Sequence, residues 1–234
     1  MRLKLFACEV LYRELCAAVA RSVNQVDLEF LPKGLHDKGG ARMLARLQES
    51  LDQTEAGSYD AVLFGYALCG NGLVGLAARS LPVIVPRAHD CITLFFGSRE
   101  RYLQYFESHA GVYFKTSGWI ERGQDLAPQL SLAFDALVER YGEENARYLY
   151  HELTKHYRQF TYIEMGVEPD DRFEEHTRQE SAVRGWDFEK VPGDMSLLQG
   201  LVDGHWDDHR FLTVPPGRRV VATNDASVLG VEKA

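Results

Sequence analysis

The stretch Tyr59–Gly72, YDAVLFGYALCGNG, decides the fold. From Ala61 to Leu68 it is one apolar run of strand length, and it stops on a glycine-rich turn that begins with Cys69. A strand apolar at every position, without polar alternation, is covered on both faces, which is the pattern of a parallel sheet between two layers of helices. The same grammar repeats outward from it. Upstream, LKLFACEVL (3–11) reads as a strand, YRELCAAVARSV (12–23) has helical spacing, VDLEFLP (26–32) is a second strand, and ARMLARLQESLDQTEA (41–56) an amphipathic helix. Downstream come a short helix LVGLAARS (73–80), a fourth strand and its exit LPVIVPRAHD (81–90), a helix SRERYLQYFESHA (98–110) and a fifth strand GVYFKTSGW (111–119). Strands alternating with helices through right-handed crossovers predict an α/β fold: a Rossmann-like parallel sheet with helices on both faces.

The C-terminal half reads as more helical. DLAPQLSLAFDALVERYG (125–142) and EENARYLYHELTKHYRQF (143–160) are long periodic segments. FTYIEMGV, WDFEKVPG and RFLTVPPG are strand candidates, with the helix MSLLQGLVDG between the last two. VEPDDRFEEH (167–176) reads as a loop and ASVLGVEKA (226–234) as a loosely held tail. The expected organisation is a Rossmann-like lobe over 1–125 and a second helical or α/β lobe over 126–234 that completes the fold.

Composition narrows the class. The 234 residues carry 26 basic and 34 acidic side chains, a net charge of −8. That balance gives no electrostatic footprint for nucleic acid or an anionic membrane, so the expected partner is a small molecule or another protein. An oligomer is compatible with it. The N-terminal apolar run is broken by Glu9 and recharged at Arg13 and Glu14, unlike an export signal. No stretch reaches the ~18 apolar residues of a spanning helix. The expected compartment is the cytoplasm, where the 4 cysteines stay reduced and take chemical or metal roles.

On this skeleton the reactive residues gather at one edge. Cys8 ends the first strand; Cys69 follows the third, in Cys69-Gly70-Asn71-Gly72; His89 and Cys91 follow the fourth, in Arg87-Ala88-His89-Asp90-Cys91; His36 follows the second. In a parallel sheet these are all C-terminal strand ends, where open α/β folds bind ligands. Three thiolates and an imidazole suit Zn²⁺, and His-x-Cys sets two donors on one tight loop. Gly70, Asn71 and Gly72 form a candidate cofactor-binding turn, able to bring backbone close to a metal or anion. Asp90 is a candidate outer-shell partner or general base, with His36 and Glu164 as further candidate catalytic groups; Glu164 is an acid inside an apolar strand.

Each has a plainer explanation. A cysteine in an apolar strand is often a small buried hydrophobe, which is the preferred reading of Cys16 and an even alternative for Cys8. His36 fits equally well as a helix-entry residue. Thr116-Ser117-Gly118-Trp119 is either a pocket wall or an ordinary turn. Arg99 and Arg101 suit an anion but better suit a solvated helix face. His205, Trp206, Asp207, Asp208 and His209 look metal-like in composition, and an exposed loop explains them as well.

Ala7-Cys8-Glu9, Gly65–Gly72, Arg87–Ile92 with Gly97-Ser98, and Thr116–Trp119 together resemble an uncharacterised family of bacterial and archaeal proteins, a domain of unknown function. Ser117 departs from its pattern, where proline is usual. The similarity is expected over about the first 165 residues and more loosely beyond. Members of that family are often encoded beside corrinoid proteins and methyltransferases, so the resemblance implies one-carbon metabolism by association. Zinc methyltransferases that pass a methyl group between a corrinoid and a thiol use a His-x-Cys pair and a distant cysteine; His89, Cys91 and Cys8 or Cys69 are similar in kind, though those enzymes are barrels. The leading expectation is a zinc-dependent enzyme, a transferase of one-carbon metabolism acting on a thiol or on a corrinoid supplied by a partner protein or methyltransferase. The alternatives are metal-free cysteine acid–base or nucleophilic chemistry, racemase- or amidase-like, and an accessory protein that binds a metal, corrinoid or iron–sulfur cluster.

Overall fold

The computed structural model describes residues 1–122, 134 and 137–234, with the side chains of 36–38 outside that description. Five strands form the main sheet: β1 (Arg2–Cys8), β2 (Gln25–Leu31), β3 (Ala61–Gly65), β4 (Val83–Pro86) and β8 (Phe211–Val214), in the order β2-β1-β3-β4-β8. β2, β1, β3 and β4 run parallel, and β8 closes the edge antiparallel to β4. β3 and β4 are buried at every position. The unalternated apolar runs thus become a parallel-rich sheet flanked by helices, as their pattern predicts.

The helices take opposite faces for a reason written in β1. Side chains alternate along a strand, so Leu3, Leu5 and Ala7 share one face and Lys4, Phe6 and Cys8 the other. On the first face a Cβ at Gly65 would lie 2.8 Å from the Cβ of Ala7 and 3.0 Å from Cδ1 of Leu15, so α1 (Tyr12–Arg21) packs there, together with α8 (Ser196–Asp203). On the second face Phe6 meets Phe64, and Lys4 and Phe6 line a pocket with Ser50 and Gln53 at the end of α2 (Gly40–Asp52).

Two compact units divide the chain otherwise than at residue 125: Met1–Leu103 with Gly193–Ala234, and Gln104–Pro192. The last 42 residues return to the first unit because β8 pairs with β4, and β9 (Arg218–Ala222) with β10 (Leu229–Lys233) forms a hairpin tied to Ala77 through Arg219. The expected loose tail is therefore the second strand of that hairpin. The second unit has its own parallel sheet, β5 (Val112–Lys115), β6 (Gln159–Glu164) and β7 (Asp187–Pro192), in that order, so GVYFKTSGW extends a different sheet from the one expected.

Three local readings change. No helix forms over 73–80: positive φ at Gly70, Asn71 and Gly75 turns the chain instead, and Gln48 takes both the N–H and the carbonyl of Ala77. The supposed loop at 167–176 runs into helix α7 (Arg172–Arg184), with Glu174 and Glu175 in its first turn and Gly185 capping it in the left-handed region. α3 (Cys91–Phe96) is an unexpected short helix before α4 (Arg99–Ser108). Most of 125–142 lies outside the described residues; α6 (Glu143–Thr154) follows it.

Candidate functional site

The order β2-β1-β3-β4 contains a reversal. From β1 the chain crosses left to β2 over one face, then right to β3 over the other, so the C-terminal ends of β1 and β3 are the topological switch point, the place where open α/β sheets have their ligand crevice. Cys8 is the last residue of β1, level with Leu31 of β2 and one step beyond the Ala7–Gly65 pair. Cys69 lies four residues past the end of β3. The two thiols sense each other electrostatically, and Cys69 also senses Asp90. Sequence order alone could place these residues at one edge; the topology sets the first two beside the switch point.

The backbone of the turn after β3 is unusual. Cys69, Gly70 and Asn71 have φ of 48°, 63° and 69°, three successive residues in the left-handed region. Glycine accepts this without cost, whereas an L side chain such as that of Cys69 is held there at roughly 1–2 kcal/mol. The turn is pinned from two sides. The N–H groups of Leu68 and Cys69 donate to the carbonyls of Ala88 and His89, both at 2.9 Å. A Cβ at Gly40, the first residue of α2, would come within 3.1 Å of the Gly70 carbonyl oxygen. The N-terminus of α2, the positive end of its dipole, thus abuts the turn. Gly72 is buried against the Met43 side chain, so its lack of a Cβ serves packing, while Gly70 and Asn71 are exposed.

Burial governs the thiols. Cys8 is 3% exposed, and desolvation pushes its pKa up to about 11. The Val10 backbone N–H and the Lys33 charge oppose that rise, and Glu9 adds to it. Cys69 is pushed up to about 12, first by desolvation, then by Cys8 and Asp90. Both sulfurs are therefore neutral thiols at pH 7 in the absence of a cation. The Glu9 carboxylate accepts the Lys33 backbone N–H at 2.9 Å and so ties the end of β1 to the exit of β2.

Tyr66 was not singled out by its sequence. It is 1% exposed and its hydroxyl has no hydrogen-bond partner among the described residues; desolvation first, and then the charges of Cys8, Cys69 and Glu9, raise its pKa above the ordinary phenol value. The available signal was a hydroxyl inside an otherwise apolar run. Lys33, 2% exposed and with its charge felt at Cys8, likewise stood unremarked in Pro32-Lys33-Gly34.

The remaining candidates distribute as follows. His89 is exposed, and Cys91 is half-buried as the first residue of α3. The Asp90 carboxylate caps α3, accepting the Thr93 N–H at 3.2 Å, and also accepts the Tyr102 hydroxyl at 3.2 Å. His36 lies in a 3₁₀ turn over Lys33–Lys38, directly after β2; its side chain is outside the described residues. Glu164 ends β6 in the second unit, half-exposed and 3.3 Å from the Lys190 ammonium. Thr116 also belongs to that unit, where its side chain caps a single turn over Ser117–Glu121. The Arg99 guanidinium donates to the carbonyls of Ala226 and His209, and His209 and Asp207 pair with Glu100 and Arg210. These residues serve loop structure.

Among the described residues, no group of three or more His, Cys, Asp or Glu side chains is placed to hold a metal ion, and no helix is long and apolar enough to cross a membrane. The chain matches the model of a family described as protein of unknown function (DUF1638) over residues 30–202, and it belongs to that family. The match reaches beyond residue 165 and includes Cys69, His89 and Cys91; Cys8 lies before it. No curated protein and no solved structure matches.

Proposed function

We propose that this DUF1638 protein is a zinc-dependent enzyme of one-carbon metabolism, with Cys8 and Cys69 as its primary ligands and His89 and Cys91 as the donors that complete the set. The observation that carries the reading is the turn after β3: a cysteine held in left-handed backbone, beside a second buried cysteine, at the switch point of an α/β sheet. Non-glycine residues are kept in such conformations where function requires them. The donors fit a soft divalent ion, since burial keeps both thiols neutral and a thiophilic metal is what would ionise them. The His89–Cys91 loop is hydrogen-bonded through its backbone to the Cys69 turn, which supports drawing the other two donors from it.

Four protein donors close a tetrahedral zinc, so a substrate thiol would reach it by displacing one of them, the exposed His89 first; zinc would then depress that thiol's pKa and hold it as a nucleophile. In the reaction class we assign, the thiolate's electron pair forms the new S–C bond. The methyl group's bond to its carrier, a corrinoid delivered by a partner protein, breaks with its pair left on the carrier, and the thiol proton leaves to solvent. Cys8 and Cys69 would fix the reacting sulfur in the crevice, and the neighbouring end of α2 favours its negative charge.

Elemental analysis tests this on protein purified without oxygen or chelator, with Cys69→Ala beside wild type. Zinc near one equivalent, lost in the variant, supports the site. Absence of metal from both overturns it and moves the reading to the metal-free alternative, one cysteine as acid and one as base on opposite sides of a substrate carbon, which would need a substrate or neighbouring charge to ionise one of the raised thiols. Iron with sulfide would identify the cluster-binding accessory instead.

A further inference from the structure

We propose that a cavity at the N-terminal edge of the main sheet, opposite the edge that bears Cys8 and Cys69, is a second binding site whose occupant is a free α-amino acid. It stands apart from the metal reading and begins with an anomaly in β1. A strand paired on both sides in a parallel sheet is normally apolar on both faces, because helices cover them. β1 lies between β2 and β3, yet it carries Arg2 and Lys4 on the face it shares with Phe6. β2 answers with two carboxylates: Arg2 stands 3.1 Å from that of Asp27 and Lys4 2.9 Å from that of Glu29. Aromatic rings seat both cations, the Arg2 guanidinium 5.1 Å from the centre of Tyr59 and the Lys4 ammonium 4.9 Å from that of Phe6. This part of the face borders a cavity of about 390 Å³, walled by the end of α2 and the segment leading to β3. That volume is within the usual range of small-molecule sites.

The lining selects the charge of the occupant. Arg2 and Lys4 are balanced by Glu29 and Glu55, and the other lining side chains are neutral. A bare anion such as phosphate would meet the carboxylates along with the cations, and a bare cation would meet the ammonium and the guanidinium. A molecule with both signs close together avoids both penalties, its carboxylate toward Lys4 and Arg2 and its ammonium toward Glu29 and Glu55. Ser50 adds an independent demand. It is 4% exposed in the α2 wall, and its hydroxyl has no hydrogen-bond partner among the described residues. Buried hydroxyls are paired as a rule, and this one belongs to the lining of a cavity, where a ligand's polar atom can supply the bond. A free α-amino acid brings adjoining opposite charges in one small molecule, with a side chain to lie along Phe6 and Tyr59.

Thermal melts and calorimetric titrations of the full chain test this, with each proteinogenic L-amino acid as probe and inorganic phosphate beside them. At ~100 times its Kd, the amino acid that binds should raise the melting temperature by about 5–10 °C. N-acetylation or amidation of that amino acid removes one charge at a time and should weaken binding about 10–100-fold, as should Lys4→Met. Ser50→Ala removes a hydroxyl that holds nothing among the described residues, so it reads the site even if Lys4→Met folds poorly; it should weaken binding about 2–10-fold. Failure of every amino acid to bind overturns the proposal. A shift with phosphate and none with amino acids overturns it in favour of an anion site. Amino-acid binding unaltered in both variants puts the ligand elsewhere and overturns it too. None of these outcomes involves zinc content, so the metal reading stands or falls separately.

Discussion

Replacing Cys69 by glycine should make the metal-free protein more stable than replacing it by alanine, the reverse of the ordinary order. At φ of 48° an alanine keeps the Cβ that clashes with the following carbonyl, at roughly 1–2 kcal/mol, and glycine removes it. Against that gain stands glycine's larger loss of backbone freedom on folding, roughly 0.5–1 kcal/mol. The difference favours glycine by about 0.5–1 kcal/mol, which for a chain of this length is about 1–4 °C in melting temperature. Both variants lack the sulfur, so lost thiol burial and lost metal affinity cancel between them. The internal control is Ala45→Gly on the exposed face of α2, where right-handed backbone makes glycine worse by about 1 kcal/mol. Calorimetric melts in the presence of chelator read all three against wild type. If Cys69→Gly melts below Cys69→Ala, as glycine does at position 45, the turn holds no strain and the observation that carries the functional reading fails.

Three further outcomes follow from named groups. Glu180→Gln should cost about 3–5 kcal/mol in urea unfolding, because it removes the carboxylate paired with the 1%-exposed Lys115, and a loss under ~1 kcal/mol would show that ammonium to be hydrated. Asp90→Ala should cost about 1 kcal/mol of stability as a lost helix cap; no change would mean that the Thr93 bond does not matter in solution. In the metal-free protein, stability should be intact below pH 9, the thiols' ordinary value, and fall as pH climbs toward 11–12. Over that window the unfolded chain sheds protons that the folded Cys8 and Cys69 retain, and Cys8→Ala should have a shallower slope; an identical slope would refute the burial argument.

The main sheet was legible because β3 and β4 are apolar throughout and the helices around them are periodic, so both burial and period agreed. The convergence of strand ends followed from parallelism alone. What could not be read was long-range pairing: nothing in RFLTVPPG states that it joins β4 antiparallel, and the unit boundary inside α4 depends on that pairing. Helix α7 was missed because its signals are caps and first-turn charges, with little apolar periodicity. Glycines at 70 and 72 announced a turn, yet the left-handed φ of Cys69 is held by the bonds of Leu68 to Ala88 and of Cys69 to His89, a tertiary cause. Tyr66 and Lys33 escaped for the same reason, since their importance is a matter of burial beside thiols and not of motif.

The geometry also ranks the candidate ligands. Cys8 and Cys69 are anchored: the first closes a strand paired on both sides, and the second sits in a turn fixed by backbone bonds. His89 is exposed and Cys91 opens a helix of six residues, one strand further from the crevice between β1 and β3. A metal gains most from ligands whose positions are set before it arrives, since less ordering entropy opposes binding. Cys8→Ala and Cys69→Ala should therefore abolish stoichiometric zinc, whereas His89→Ala and Cys91→Ala should each leave a site that still takes up zinc at raised concentration. Competition with a chromogenic chelator measures all four. If Cys91→Ala loses zinc as completely as Cys69→Ala while Cys8→Ala retains it, the centre lies on the α3 side of the turn. The crevice between β1 and β3 would then be a bystander.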